Sequence, residues 1–388
     1  MKKKIGIVTL HAVTNYGGIL QSYAMQTVLE RLDFDVEKIE HSMWPKQLSI
    51  WQKITRYPYR WFIKRVLRQD DVEINAEQLQ YNKKKARYYN RATFTMQFVE
   101  KHIKRSNIFS YSELNSNDYY ALVVGSDQIW RPQYVRNVGM DIRDVYLQFA
   151  KSWNVKRIAY AASFGKDVCE YTPDEIKDCG ELLKKFDAVS VRESSGIEIC
   201  KLLGRNDACR MIDPTLLLSK EDYCNLVPQD YTENEGDLLC YVLDKTTDIT
   251  MVIDYVAREK DLVPFEVIAH KNVKSKGSKD YYQPPVEKWL KGFMDAKFVI
   301  TDSFHACVFA IIFGKPFVVI ANPDRGVARY QTLLDMTGLS DRLLYDFDKQ
   351  KIDAILQTPF SPNMSKIEEE KIRAMAYLRN QLMKERNN

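Results

Sequence analysis

Phe298-Val299-Ile300-Thr301-Asp302-Ser303-Phe304-His305 passes from apolar to polar within eight residues. Its apolar run, residues 298–300, reads as a buried strand that ends on polar side chains. Residues 306–313 are small and apolar and read as a helix, which Gly314-Lys315-Pro316 stops. Residues 317–320 read as the next strand. Together they make a strand–turn–helix–strand unit of an open α/β sheet, and such sheets bind ligands outside the carboxyl ends of their strands. His305, one of only five histidines in 388 residues, falls at that place. It stands beside a helix start, which suits an anion.

The same alternation extends outward in both directions. Residues 5–10 read as the first strand, 11–18 as a turn and 19–32 as a helix with apolar residues at near-helical spacing. Further strands are expected at 36–40, 120–124, 157–162 and 186–191. Thr172-Pro173-Asp174-Glu175 is a helix start with a proline at the first helical position and a glutamate where a capping box needs it. A polar stretch, 219–235, reads as an interdomain linker. The pattern then restarts with strands at 237–243 and 264–269 and helices at 249–260 and 286–295. Residues 365–385 form a charged amphipathic helix. Two successive runs of this kind predict two Rossmann-like domains facing a cleft. The divisions are 1–218, with a basic and aromatic helical insertion near 45–105, then 236–360, then a C-terminal helix, 361–388.

Composition narrows the class. The chain is 45% hydrophobic and 28% charged, as in a soluble globular protein, and its length suggests two domains. The amino terminus runs from Met-Lys-Lys-Lys directly into a strand, so no signal peptide is expected. No apolar run approaches a membrane span. Seven scattered cysteines without metal-ligand spacing read as reduced core thiols of a cytoplasmic protein. A net charge of +5 is mild and does not call for nucleic acid. The charge is uneven, however. Residues 51–68 carry six Lys/Arg and no acid, together with Trp51, Tyr57, Tyr59, Trp61 and Phe62, and residues 83–89 repeat the flavour. Such a segment suits an anionic membrane surface, or is simply a solvated basic insertion.

Four motifs could carry chemistry. Asn15-Tyr16-Gly17-Gly18 lies between strand and helix, where backbone N–H groups could approach an anion or a sugar; a tight turn would look the same. Gly125-Ser126-Asp127-Gln128-Ile129-Trp130 puts a carboxylate, an amide and an indole at a strand end, suited to sugar hydroxyls or to a helix cap. Arg192 follows a strand directly and could clamp a carboxylate or phosphate, or pair with a neighbouring acid. His305 suits a general acid, because its ordinary pKa is near neutrality, or a structural hydrogen bond. Asp302 is a candidate to orient it. Arg325 and Arg329 are further cations, and no metal-ligand cluster is visible.

The ordered set resembles the polysaccharide pyruvyl transferase family. The carrying residues are Asn15-Tyr16-Gly17-Gly18-Ile19-Leu20-Gln21-Ser22-Tyr23-Ala24, Gly125 to Trp130, Ser163-Phe164-Gly165, Ser190-Val191-Arg192-Glu193, Asp213-Pro214-Thr215-Leu216-Leu217, and Thr301 to His305 with Lys315-Pro316-Phe317. The resemblance implies a fold similar to glycosyltransferase-B, with the acceptor on the first domain and the donor on the second. It implies transfer of a pyruvyl group from phosphoenolpyruvate, the donor substrate, to a sugar of a surface polysaccharide as a ketal, with no cofactor or metal. A lipid-linked oligosaccharide acceptor would give the basic aromatic segment a reason and place the protein at the inner face of the membrane. His305 and Asp127 are then the expected acid and base. Asn15, Gly17, Gly18, Gln21, Ser126, Gln128, Arg192, Ser303, Lys315, Arg325 and Arg329 are the expected substrate-binding residues. One departure stands out: many members carry arginine two residues before the histidine, and here that residue is Ser303, so the donor's anion must be held by Arg192, Arg325, Arg329 or Lys315. Two other functions fit the same pattern: a nucleotide-sugar glycosyltransferase, and a non-catalytic glycan-binding protein. Nothing in the sequence assigns an oligomeric state.

Overall fold

The computed structural model describes residues 2–11, 13–41, 58–59, 61–62, 64–66, 89–269 and 281–384. In the first half, β1 (Lys4–Val8), β2 (Asp35–His41), β3 (Arg105–Ile108), β4 (Ala121–Val124), β5 (Lys156–Ala162), β6 (Ala188–Val191) and β7 (Cys209–Arg210) form one parallel sheet. Its order is β3-β2-β1-β4-β5-β6-β7. In the second half, β8 (Leu238–Tyr241), β9 (Pro264–Phe265), β10 (Phe298–Thr301), β11 (Phe317–Ile320) and β12 (Leu343–Leu344) form another, in the order β12-β11-β10-β8-β9. Its pairings are parallel as well. A parallel sheet is covered by helices on both faces, so its strands are apolar runs rather than alternating ones. Every residue of β4, β5 and β6 is accordingly buried.

The helices of the first half are α1 (Tyr16–Arg31), α2 (Thr93–His102), α3 (Pro132–Asn137), α4 (Pro173–Leu183), α5 (Ser195–Leu202) and α6 (Lys220–Cys224). Those of the second are α7 (Thr247–Lys260), α8 (Val286–Asp295), α9 (Phe304–Phe313), α10 (Ala328–Thr337), α11 (Lys349–Gln357) and α12 (Met364–Met383). In α9 every residue except Ile312 is buried, as expected for a helix that is apolar all round. It ends where Gly314 takes a left-handed φ of 66°, a conformation that costs glycine little. The capping box read at Thr172 and Glu175 is present at the start of α4.

The last helix returns to the first sheet. Ile367, Ala374, Leu378 and Leu382 line its buried stripe, and the Tyr120 hydroxyl and Lys156 Nζ both donate to the Leu382 carbonyl. Burying leucine and isoleucine side chains is worth about 1.5–3 kcal/mol each, enough to hold this helix across the domain boundary. At the cleft, the Tyr16 ring stacks on Trp289 with centroids 5.3 Å apart, and its hydroxyl donates to the Pro284 carbonyl at 2.7 Å. One apolar core therefore runs through both domains.

Several sequence expectations shift. The helix expected from residue 19 begins at Tyr16, because the Asn15 side chain caps it by accepting from the Gly18 N–H at 3.3 Å. Gly17 and Gly18 are thus in the first helical turn, not in a loop. Within 45–105 the expected helical character holds for α2, but Arg105–Ile108 is an edge strand, β3, whose mostly polar side chains gave no strand signal. The expected linker, 219–235, contains α6, with its own capping box and a fully buried Tyr223. Trp51, Tyr57 and residues 83–88 of the basic aromatic segment lie outside the described residues. Tyr59, Trp61 and Phe62 are described and exposed. All seven cysteines are free thiols. No described helix is long and apolar enough to cross a membrane.

Candidate active site

The order of each sheet decides where a ligand can sit. The chain direction across the sheet reverses between β1 and β4 in the first domain and between β8 and β10 in the second. Loops diverge at such switch points and leave a crevice at the carboxyl ends of the strands. The loops there are 9–15 and 125–131 on one side and 242–246 and 302–303 on the other. Residues following β6 and β7 complete the first side.

Four buried charged groups meet at this junction. Arg192, after β6, donates through Nη1 to Asp213 Oδ2 at 2.6 Å and lies 3.7 Å from Asp127 Oδ1 through Nη2. Asp213 Oδ2 is also 3.5 Å from His305 Nε2 and 3.2 Å from Ser126 Oγ. Its other oxygen, Oδ1, accepts from the Thr215 N–H and hydroxyl. Burial alone would raise the Asp213 pKa. The pairing with His305, the Arg192 charge and the Thr215 hydroxyl outweigh it and hold the carboxyl well below its usual range. Arg192 is buried too, yet Asp213, Asp127 and Glu193 keep its guanidinium firmly charged.

His305 comes from the second domain, at the second position of α9, and its ring lies directly on the α1 backbone of the first domain. A Cβ at Gly17 would fall 2.1 Å from His305 Nδ1. The glycine is there because the histidine needs the space. His305 Nε2 faces Asp213 Oδ2 at 3.5 Å and makes no closer hydrogen bond among the described residues.

The second domain adds Arg329, on α10. It is 4% exposed, donates through Nη2 to the Arg325 carbonyl, and makes no ion pair among the described residues. Burial and the nearby Arg192 charge both push its guanidinium below its ordinary pKa. Arg192 and Arg329 both lie over the Phe304 ring, at 4.5 and 5.6 Å from its centroid. Arg192 Nε and Nη2 and Arg329 Nε lack hydrogen-bond partners.

Other expected residues serve the framework. Gln21 donates to Thr9 Oγ1 and the Gly18 carbonyl and accepts from the Ser126 N–H, so it ties two site loops together. Gln128 accepts from Arg131, which also reaches Glu170 and the Asp324 carbonyl of the other domain. Asn15 is a helix cap. Ser303 precedes α9 with a side chain that makes no capping bond. Arg325 sits at the cleft edge, paired with Asp244 at 2.6 Å. Lys315 is not brought to the site: it follows the far end of α9, some ten residues and about 15 Å along the helix from His305. Its ammonium donates to the Met294 carbonyl there.

Asp302, the acid next to His305 in sequence, turns away from it. Its two oxygens accept from the Leu243 and Asp244 N–H groups, and it serves to fix the loop after β8. Asp213 takes the place beside His305 instead. Asp213 lies within one of the family motifs, but nothing in the sequence gave it a chemical role. The available signal was an acid directly after an apolar pair, 211–212, in the same half of the chain as Asp127 and Arg192. Phe304 was likewise missed, since nothing in sequence says that a phenylalanine will face two arginines. Among the described residues no group of three or more His, Cys, Asp or Glu is placed to hold a metal ion.

Comparison with solved structures gives the fold. Methanocaldococcus jannaschii UDP-GlcNAc 2-epimerase, solved with UDP-GlcNAc and UDP, superposes with a TM-score of 0.52 at 11% identity, over 97% of this chain and 100% of that one. S. aureus MnaA, solved with UDP, gives 0.50 at 13% identity, over 100% and 99%. At such identities the likeness is one of architecture: two Rossmann-like domains in the glycosyltransferase-B arrangement. No match was found among curated proteins. The model of one family spans residues 15–325, from the cap of α1 to the arginine at the cleft edge. With most of its length so matched, the chain belongs to the polysaccharide pyruvyl transferase family.

Proposed function

We propose that this chain transfers the pyruvyl group of phosphoenolpyruvate to two hydroxyls of one sugar in a lipid-linked polysaccharide precursor, forming a ketal and releasing phosphate. The observation that carries the reading is the buried Arg192–Asp213–His305 constellation, assembled from both domains in a member of this family. Its chemistry fits each step. Protonation of the donor's methylene carbon makes a methyl group and leaves C2 electron-poor, and we assign that proton to His305. One sugar hydroxyl adds to C2. The phosphate leaves with its C–O bond electrons, and the second hydroxyl closes the ring. The two hydroxyl protons replace the one given by His305 and neutralise the leaving phosphate. Asp127, at a strand end facing Arg192, is the candidate base for the hydroxyls.

Asp213 plays a positioning role. Its carboxylate stands beside Nε2 and stabilises the protonated imidazole, as a buried carboxylate does for a catalytic histidine. The buried cations favour the donor's carboxylate and phosphate in a site shielded from water, where charge–charge attraction is strong. No cofactor or metal enters this scheme.

The acceptor end of the reading draws on the exposed aromatic side chains of Tyr59, Trp61 and Phe62, at 68%, 52% and 48% exposure, beside Lys64 and Arg65. Aromatic and basic groups together favour a membrane interface with anionic lipid, and hence a peripheral place at the inner face of the membrane. The test is incubation with phosphoenolpyruvate and a panel of lipid-linked glycans, reading phosphate release and a pyruvyl mass gain on the glycan. His305→Ala should abolish both. Normal turnover by that variant would overturn the assignment of the acid. Stabilisation by UDP and not by phosphoenolpyruvate would favour a nucleotide-sugar glycosyltransferase. Sugar binding with no turnover would favour a glycan-binding protein. Sedimentation with anionic liposomes, weaker at high salt, checks the membrane contact.

A further inference from the structure

Arg329 is an unusual residue to find where it is. A charged side chain withdrawn from water is costly unless an opposite charge compensates it. Arg192 has that compensation in Asp213 at 2.6 Å. Arg329 has no ion-pair partner among the described residues: its Nη2 donates to the Arg325 carbonyl, a neutral group four residues earlier, and Asp127 and Glu193 act on it only from beyond ion-pair distance, too weakly to offset its burial. Its nearest charged neighbours include Arg192, a like charge whose effect opposes its own protonation. The two guanidiniums belong to different domains, and both lie over the Phe304 ring. Between them they leave Arg192 Nε and Nη2 and Arg329 Nε without acceptors, all buried.

We propose that Arg192 and Arg329 form a two-domain clamp for a multiply charged oxyanion, and that Arg329 supplies the cation that Ser303 lacks at the start of α9. The proposal rests on the reading of the donor as phosphoenolpyruvate for the identity of the anion, but not for the existence of the site. An anion between the arginines satisfies three orphaned N–H groups at once. It also turns a repulsion across the domain boundary into two attractions, so the anion favours the closed arrangement of the domains. The fork of each guanidinium matches a phosphate or carboxylate edge. Ser303, at the start of α9, makes no capping bond, and the partial positive charge of that helix end favours an anion as well.

The experiment is titration calorimetry with inorganic phosphate, phosphoenolpyruvate and UDP as separate probes, together with thermal unfolding of the ligand-free proteins. It uses the full chain and three variants: Arg329→Gln, Arg329→Lys and, as a cleft-edge control, Arg325→Gln. Arg329→Gln should weaken binding of the anion by about tenfold or more, the loss expected for a charge-assisted hydrogen bond. The ligand-free variant should unfold at the same temperature as wild type or higher, because an uncompensated buried charge is gone. Arg329→Lys should keep the charge, lose the fork and bind several-fold more weakly. Arg325→Gln should change affinity little. A structural role for Arg329 would do the reverse: the ligand-free protein would lose stability and affinity would stay within about twofold of wild type, which overturns the proposal. Failure of wild type to bind any of the three probes overturns it too. Should Arg329→Gln fail to fold, unchanged affinity in Arg329→Lys overturns it by itself. Arg329-dependent anion binding without pyruvyl transfer to any glycan would leave the clamp standing and remove the proposed function. Pyruvyl transfer with unchanged affinity in Arg329→Gln would do the opposite.

Discussion

Gly17→Ala puts the domain junction under a direct test. The added methyl would lie 2.1 Å from Nδ1, 2.3 Å from Cγ and 2.8 Å from Cβ of His305. Ordinary contacts of this kind are about 3.5 Å, so the ring must withdraw by roughly 1.4 Å. His305 is 5% exposed and packed against Phe304, so it has little space to do so. Overpacking a buried site costs about 1–3 kcal/mol. A displacement near 1 Å of a reacting group costs about a hundredfold in rate. In His305→Gly the obstacle is gone, the Cβ at 2.8 Å included. The same glycine-to-alanine change in the first turn of α1 should then stabilise, by up to about 1 kcal/mol, because alanine is the better helix former. The effect of Gly17→Ala therefore reverses sign between the two backgrounds, a coupling of roughly 2 kcal/mol or more. Urea unfolding of wild type, both single variants and the double variant measures it, and phosphate release from phosphoenolpyruvate measures the kinetic loss. Equal destabilisation by Gly17→Ala with and without the His305 ring would refute the close packing of the two domains at this point.

Asp213→Asn should destabilise by about 3–5 kcal/mol near neutral pH, since the buried Arg192 guanidinium loses its counter-charge. The Asp213 pKa is lowered in the folded protein, so its stabilising contribution is complete above the unfolded value near 4 and falls as pH drops below that. Melting curves across pH should show the gap between wild type and Asp213→Asn constant above about pH 5 and narrowing in acid. Arg131→Met removes a bond to the Asp324 carbonyl across the cleft as well as the Glu170 pair. It should cost on the order of 3 kcal/mol and expose the junction to limited proteolysis. Lys315→Ala should leave the KM for phosphoenolpyruvate within about twofold of wild type, because its ammonium is bonded to Met294 at the far end of α9. A tenfold rise in KM would place that lysine in the site after all.

The fold was legible wherever a strand is buried on both faces. Residues 298–300, 120–124 and 157–162 announce themselves as apolar runs, and β10, β4 and β5 lie there. Of the edge strands only β9, Pro264–Phe265, falls where one was expected, at 264–269; the other three were not legible. Arg105–Ile108 is held by pairing with β2, and Cys209–Arg210 and Leu343–Leu344 are two residues long, so neither periodicity nor composition could mark them. Helix starts were visible where side chains cap them, as at Thr172, and misplaced by three residues at Asn15, where glycines in the first turn read as a loop.

The class of architecture, the family and the strand ends that carry His305, Arg192 and Asp127 were readable along the chain, because each depends on a local run of residues. Which of those ends meet is set by the packing of the two domains. It set Asp213, not the adjacent Asp302, beside His305, since alternate residues at a strand end point in different directions and the partner comes from the other domain. It separated Lys315 from the site by the length of a helix. It gathered Arg329 into a buried junction where it makes no ion pair among the described residues. Charge burial and cross-domain contact are properties of packing, and no window along the chain contains them.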